Sequence, residues 1–173
     1  MATVNSAVYV PLEVYLETTY RPDRDWIDGQ VKERNMGERP HASIQKFLVR
    51  FLGNNEERWK IVVLPEQRVQ TSAKNYRIAD VCVVGSDAPD EAIVRTPPLL
   101  CVEILCRDDR MSDMQERVDD YLAMGVSVVW VIDPRRRMAF SAVSRKLTEA
   151  PDHLSVPGTP VHVSVAEMFA VLG

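Results

Sequence analysis

Two periodicities run along this chain, and they divide it into segments. A short amphipathic helix is predicted around residues 11–18, with Pro11 suited to a first helical turn. Asp25-Trp-Ile-Asp-Gly-Gln-Val31 predicts a hairpin turning at Asp28-Gly29. The stretch 34–40 is polar and turn-rich. Ile44, Phe47, Leu48, Phe51 and Leu52 then recur at helical spacing, and Gly53 supplies a stop. From Trp59 onward the pattern changes. Residues 60–64, 67–71, 77–84 and 99–105 predict strands, and 85–98 predicts a loop whose three prolines cannot join a ladder. A helix over 111–124 ends at Gly125, and Ser127–Ile132 predicts a further strand. Residues 137–143 and 147–156 predict a last hairpin, and Ser164-Val-Ala-Glu167 predicts a capped C-terminal helix.

The 173 residues suit one domain, 1–173, with a proper core. No apolar run approaches the ~20 residues that span a bilayer, so no membrane association is expected. The N-terminus carries no recognisable secretory signal, and a cytoplasmic location is the expectation. Cys82, Cys101 and Cys106 match no zinc spacing, and an odd count does not build a disulfide framework. They read as reduced core residues. A thiol hydrolase at Cys106 is disfavoured because no neighbouring His offers activation.

A net charge of −4 and a pI near 5.4 argue against a uniformly basic nucleic-acid binder. The distribution changes that picture. Arg135, Arg136, Arg137, Arg145 and Lys146 fall in a stretch without acids, so one face can be basic while the chain is acidic. An ordinary solvated hairpin has the same pattern.

Two apolar strands each carry one carboxylate, Asp80 in YRIADVCVV and Glu103 in LLCVEILC. Burying an unpaired charge is expensive. If the strands pair antiparallel, opposed side chains lie about 5 Å apart at Cβ, and two carboxylates that close repel unless a cation or proton intervenes. A hard divalent cation suits such oxygens and would polarise a phosphodiester. The alternative is that each acid ends its strand beside an arginine such as Arg77 or Arg107. On the following helix, Asp113, Arg117 and Tyr121 are spaced i, i+4, i+8. Arg117 can therefore reach the carboxylates along the apolar stripe, or pair with Asp113.

Taken in order, Asp25-x-x-Asp-Gly, His41, Tyr76-Arg-Ile-Ala-Asp80-Val, Val102-Glu103-Ile-Leu-Cys106, Asp113-x3-Arg117-x3-Tyr121-x3-Gly125-Val and Val129-Trp-Val-Ile-Asp-Pro134 resemble the Uma-type restriction endonucleases of the PD-(D/E)XK nuclease superfamily. The resemblance implies an α/β (α+β) fold, a restriction-endonuclease-like mixed β-sheet flanked by helices. It also implies cleavage of DNA with Mg²⁺ or Mn²⁺. Asp80 and Glu103 then take the places of the superfamily's metal-binding acids, with Glu33 as a third metal ligand. Asp25 and His41 are secondary candidates, as are Asp113 and Tyr121.

Arg117 stands where the family places its lysine, moved onto the helix. Arg stays protonated and cannot act as a base, though it can stabilise phosphate charge. The leading expectation is a metal-dependent endonuclease using Asp80, Glu103 and Arg117. The basic segments 134–148 and 32–60 would hold the DNA backbone, and a homodimer would serve duplex cleavage. The alternative is a catalytically impaired binding or assembly module in which Arg117 neutralises the acids.

Overall fold

The computed structural model describes residues 8–35 and 37–173; the first seven residues of the stretch searched for a secretory signal lie outside them. The elements follow in order: α1 Leu12–Glu17, β1 Asp25–Ile27, β2 Gln30–Lys32, α2 Arg39–Gly53, α3 Glu56–Trp59, β3 Ile61–Ser72, β4 Asn75–Gly85, β5 Leu100–Ile104, α4 Met111–Met124, β6 Val128–Asp133, β7 Met138–Ala142, β8 Thr148–Glu149, β9 His153–Ser155, β10 His162–Ser164 and α5 Val165–Ala170. The predicted hairpin at Asp28-Gly29 forms, with both residues at positive φ as a two-residue turn demands. Gly125 ends α4 in the left-handed conformation, and the Ser164 hydroxyl accepts from the Glu167 amide at the start of α5.

The main sheet runs β2-β1-β4-β5-β6-β7-β8, with β3 along the other edge of β4. It is antiparallel except for β5 and β6, which α4 joins as a crossover. Apolar side chains alternate between the two faces. Val81, Val83, Val102 and Trp130 pack with α2 and α5, while Cys82, Cys101, Val129 and Val131 pack beneath Met114, Val118 and Tyr121 of α4. The result is a mixed α/β architecture with a central, mostly antiparallel sheet flanked by helices. Among the described residues no helix is long and apolar enough to cross a membrane.

Two expectations change. The strands predicted at 60–64 and 67–71 are one strand, β3, that runs through Pro65-Glu66. Pro65 breaks no ladder there because β3 is an edge strand at that point. The predicted last hairpin is divided. β7 pairs β8, but His153–Ser155 leaves the main sheet after Pro151 and pairs β10.

Candidate active site

One edge of β4 is shared by two strands. β1 pairs with its residues 75–76 and β5 with its residues 81–83, leaving a gap between them. Buried backbone groups exposed by such a gap need partners, and carboxylates supply them. Asp25 accepts from the Ile78 amide at 2.9 Å, and Asp80 accepts from the Ile104 amide at 2.8 Å. The register Val81↔Val102 sets Glu103 opposite Asp80 one step further along. The parting of the strands thus gathers Asp25, Asp80 and Glu103, which are 0–2% exposed. Asp25 is held there by a small aromatic cluster, Tyr15, Trp26 and Tyr76, that anchors the hairpin.

Each acid is met by cations. Asp80 binds Arg34 Nη2 at 2.5 Å through Oδ1 and His41 Nε2 at 3.3 Å through Oδ2. Glu103 takes Arg117 Nη1 at 3.2 Å on Oε2 and the Tyr121 hydroxyl at 2.7 Å on Oε1. Arg117 also reaches Asp25 at 3.2 Å, and Arg77 joins Asp25 to Asp120. Arg34 additionally pairs with Glu66 at 2.7 Å, whose other oxygen accepts from Gln45 at 2.6 Å. Charges therefore alternate from Glu66 through Arg34 to Asp80, and from Glu103 through Arg117, Asp25 and Arg77 to Asp120.

The protonation equilibria follow from burial against pairing. Burial opposes ionisation of Asp80, but the His41 hydrogen bond and the Arg34 charge outweigh it and hold its pKa below the ordinary value. Glu103 goes the other way. Burial, with the nearby Asp80 charge, pushes it up to about 7 against the pull of Arg117. Burial opposes protonation of His41, but its hydrogen bond to Asp80 and the Asp80 charge together outweigh that cost and raise its pKa. Burial lifts the Tyr121 phenol well above its usual value, so it stays a donor.

The predicted residues separate in space. Asp80, Glu103, Arg117, Asp25, His41 and Tyr121 converge. Glu33 does not: its side chain is 78% exposed and pairs with Arg24, at a cleft of about 140 Å³ that it lines together with Asp25, Asp113 and Arg117. Asp113 is exposed on α4, and the Arg117 guanidinium turns inward to Glu103 and Asp25 instead of pairing with it. Arg77 pairs with Asp25 and Asp120 rather than ending the Asp80 strand. Cys106 donates to the Asn35 carbonyl, and burial raises its thiol to about 12, far from a ready nucleophile.

Arg34 and Glu66 are the residues that sequence reasoning missed. Arg34 lies in a polar turn with no periodicity to mark it. Glu66 sits in β3 at φ 51, a left-handed conformation uncommon for a non-glycine residue inside a strand. The only local sign was the proline before it.

The fit of a divalent cation can be judged from the donor set. All four side-chain oxygens of Asp80 and Glu103 already accept from a donor. Among the described residues no three His, Cys, Asp or Glu side chains gather as a metal set. The nearby Arg34 and Arg117 charges would also repel an incoming cation. As arranged, these residues do not fit Mg²⁺ or Mn²⁺. The space between them is a cavity of about 10 Å³, lined by Arg34, Asp80, Glu103, Asp109 and Arg117.

Basic residues stand nearby. Arg107, Arg135 and Arg136 line a cleft of about 300 Å³ beyond the ends of β5 and β6, together with Asp109 and Asp133. Arg145 and Lys146 are exposed on the β7–β8 connection, and Arg137 donates to the Gly173 carbonyl. A larger cavity, about 710 Å³, lies beneath the 85–98 loop and contains none of the predicted site residues. Its size reflects the arch of that loop, and the buried charges lie elsewhere.

A family model described as "Uma2: Putative restriction endonuclease" matches residues 9–161. A crystal structure of a "putative nuclease belonging to DUF820" from Anabaena variabilis ATCC 29413 superposes with a TM-score of 0.82 at 20% identity, covering 95% of this chain and 99% of that one. At that identity the likeness speaks to the fold. No curated protein matches the chain.

Proposed function

Because this chain belongs to the Uma2 family of putative restriction endonucleases, we propose that it is a nuclease-fold protein directed at the DNA backbone, with its acidic centre neutralised internally by arginine. The observation that carries this reading is the pairing of Arg34 with Asp80 and of Arg117 with Glu103, which leaves neither carboxylate without a cation. DNA phosphates would be met by Arg107, Arg135 and Arg136, beside the cluster, with Arg145 and Lys146 extending the contact. Hydrolysis in this state is weak or absent.

The second reading is a working Mg²⁺- or Mn²⁺-dependent endonuclease of the PD-(D/E)XK type. It is favoured by Asp80 and Glu103 facing one another where β4 and β5 pair, with Arg117 reaching Glu103 from α4. Nicking of supercoiled plasmid in Mn²⁺ by wild type, Asp80→Ala and Arg117→Lys separates the two. The internal-neutralisation reading expects little or no wild-type cleavage. Strong wild-type nicking that is lost in Asp80→Ala would replace it with the endonuclease. Cleavage only by Arg117→Lys would identify an intact site disabled at that one residue.

A further inference from the structure

The expected counterion at Asp80 was a metal, and the one in place is Arg34. We infer that Arg34 is a built-in cation occupying a latent divalent-metal position, so that removing it converts a closed cluster into a metal site. This rests on the internal-neutralisation reading above and names the residue that enforces it.

The geometry is specific to Arg34. Its side chain is 3% exposed, as buried as the Asp80 side chain it contacts. Its two terminal nitrogens are spent on Asp80 and Glu66, while Nε is buried with no partner among the described residues. An unpaired buried donor costs free energy, so the guanidinium is held by its two carboxylates despite an incomplete set of hydrogen bonds. Glu66 is aimed at it from a left-handed position in β3 and fixed by Gln45 of α2. Gln45 also donates to the Asp80 carbonyl at 2.9 Å, so one side chain ties both acids of the clamp together.

The segment that carries Arg34 is tethered across the site. Asn35 donates to Asp109 at 2.9 Å, and its carbonyl accepts from the Cys106 thiol at 3.2 Å. Residues 34–35 therefore bridge from β2 to the β5–α4 connection, with the small cavity beneath them. Without the guanidinium, Asp80 Oδ1 loses its donor and faces that space. Asp80 and the opposing Glu103 would then be left short of one positive charge, the condition that draws a hard divalent cation to carboxylate oxygens. Arg117 does not substitute, because its nitrogens are committed to Glu103 and Asp25.

The test is Mn²⁺ binding to four full-length proteins: wild type, Arg34→Met, Arg34→Met/Asp80→Ala and Glu66→Gln. Binding is read from the free-Mn²⁺ electron paramagnetic resonance signal and from the melting temperature, since a ligand that binds only the native state raises it. The expected result is no saturable millimolar binding by wild type. Arg34→Met gains affinity by about tenfold or more, and the added Asp80→Ala abolishes the gain. Glu66→Gln removes one anchor of Arg34 while leaving Asp80 intact, and shows a smaller gain in the same direction. It answers the question if Arg34→Met does not fold. A folded Arg34→Met that takes up no Mn²⁺ overturns the inference and leaves the internal-neutralisation reading standing. Wild type binding Mn²⁺ as tightly as Arg34→Met overturns both.

Discussion

Burial pushes the Glu103 carboxyl from 4.5 up to about 7 while Arg117 pulls against it, so this residue carries a pH signature. Between those values the folded state holds a proton that the unfolded chain releases. Stability linked to Glu103 is therefore full below about 4.5 and declines as pH rises through about 7. Relative to Glu103→Gln, wild type should lose on the order of 1–3 kcal/mol of unfolding free energy across that window, measured by urea melts at a series of pH values. A flat difference would show that Arg117 holds Glu103 ionised throughout. Asp80, with its pKa depressed, acts in the opposite sense: its contribution is present at neutral pH and fades as pH falls through its lowered value. Tyr121→Phe should cost about 1–3 kcal/mol, because it strands one buried Glu103 oxygen. A melt indistinguishable from wild type would mean that water reaches that oxygen.

At the scale of elements, the site depends on two short pieces being held in place. The β1–β2 hairpin brings in Asp25, and its turn needs Gly29 at φ +85, where an added Cβ would meet the Tyr9 ring at 2.1 Å. Gly29→Ala should destabilise by at least about 1 kcal/mol. For a chain of this length that corresponds to a melting temperature lower by roughly 2–4 °C. The same variant should loosen Arg117 by displacing Asp25, so its melt should also respond less to Arg117→Ala than wild type does. Independent, additive effects would separate the hairpin from the cluster. The second piece is the segment with Arg34 and Asn35, which closes the cluster only because α2 and β3 present Gln45 and Glu66 to it.

Over the whole molecule, an acidic chain offers DNA a local basic edge. If Arg135 and Arg136 each neutralise a phosphate, Arg135→Ala/Arg136→Ala should flatten the slope of log K against log salt by about 2. Fluorescence anisotropy with a labelled duplex measures it. An unchanged slope would move the DNA contact to another face or remove it. Buried ion pairs seldom add net stability over an apolar core, because desolvating the charges offsets their attraction. The two runs of ion pairs, Glu66 to Asp80 and Glu103 to Asp120, are therefore better understood as fixing geometry at the strand gap than as strengthening the fold. Sedimentation velocity would decide whether the molecule pairs to present two such centres to a duplex.

Much of the architecture was legible in the residues. The apolar periods located α2, α4, β4, β5 and β6, because a buried face imposes its period on the sequence whatever it packs against. Asp80 and Glu103 stood out for the same reason, being charges inside apolar strands. Several features belonged to the tertiary structure. Pro65 suggested a break, yet an edge strand loses no hydrogen bond to it. Glu33 and Arg34 are neighbours in the chain, and one is solvated while the other is the most deeply committed cation of the cluster. Which cation meets a buried acid depends on where loops land and which way side chains turn. These are long-range placements, and no local period records them.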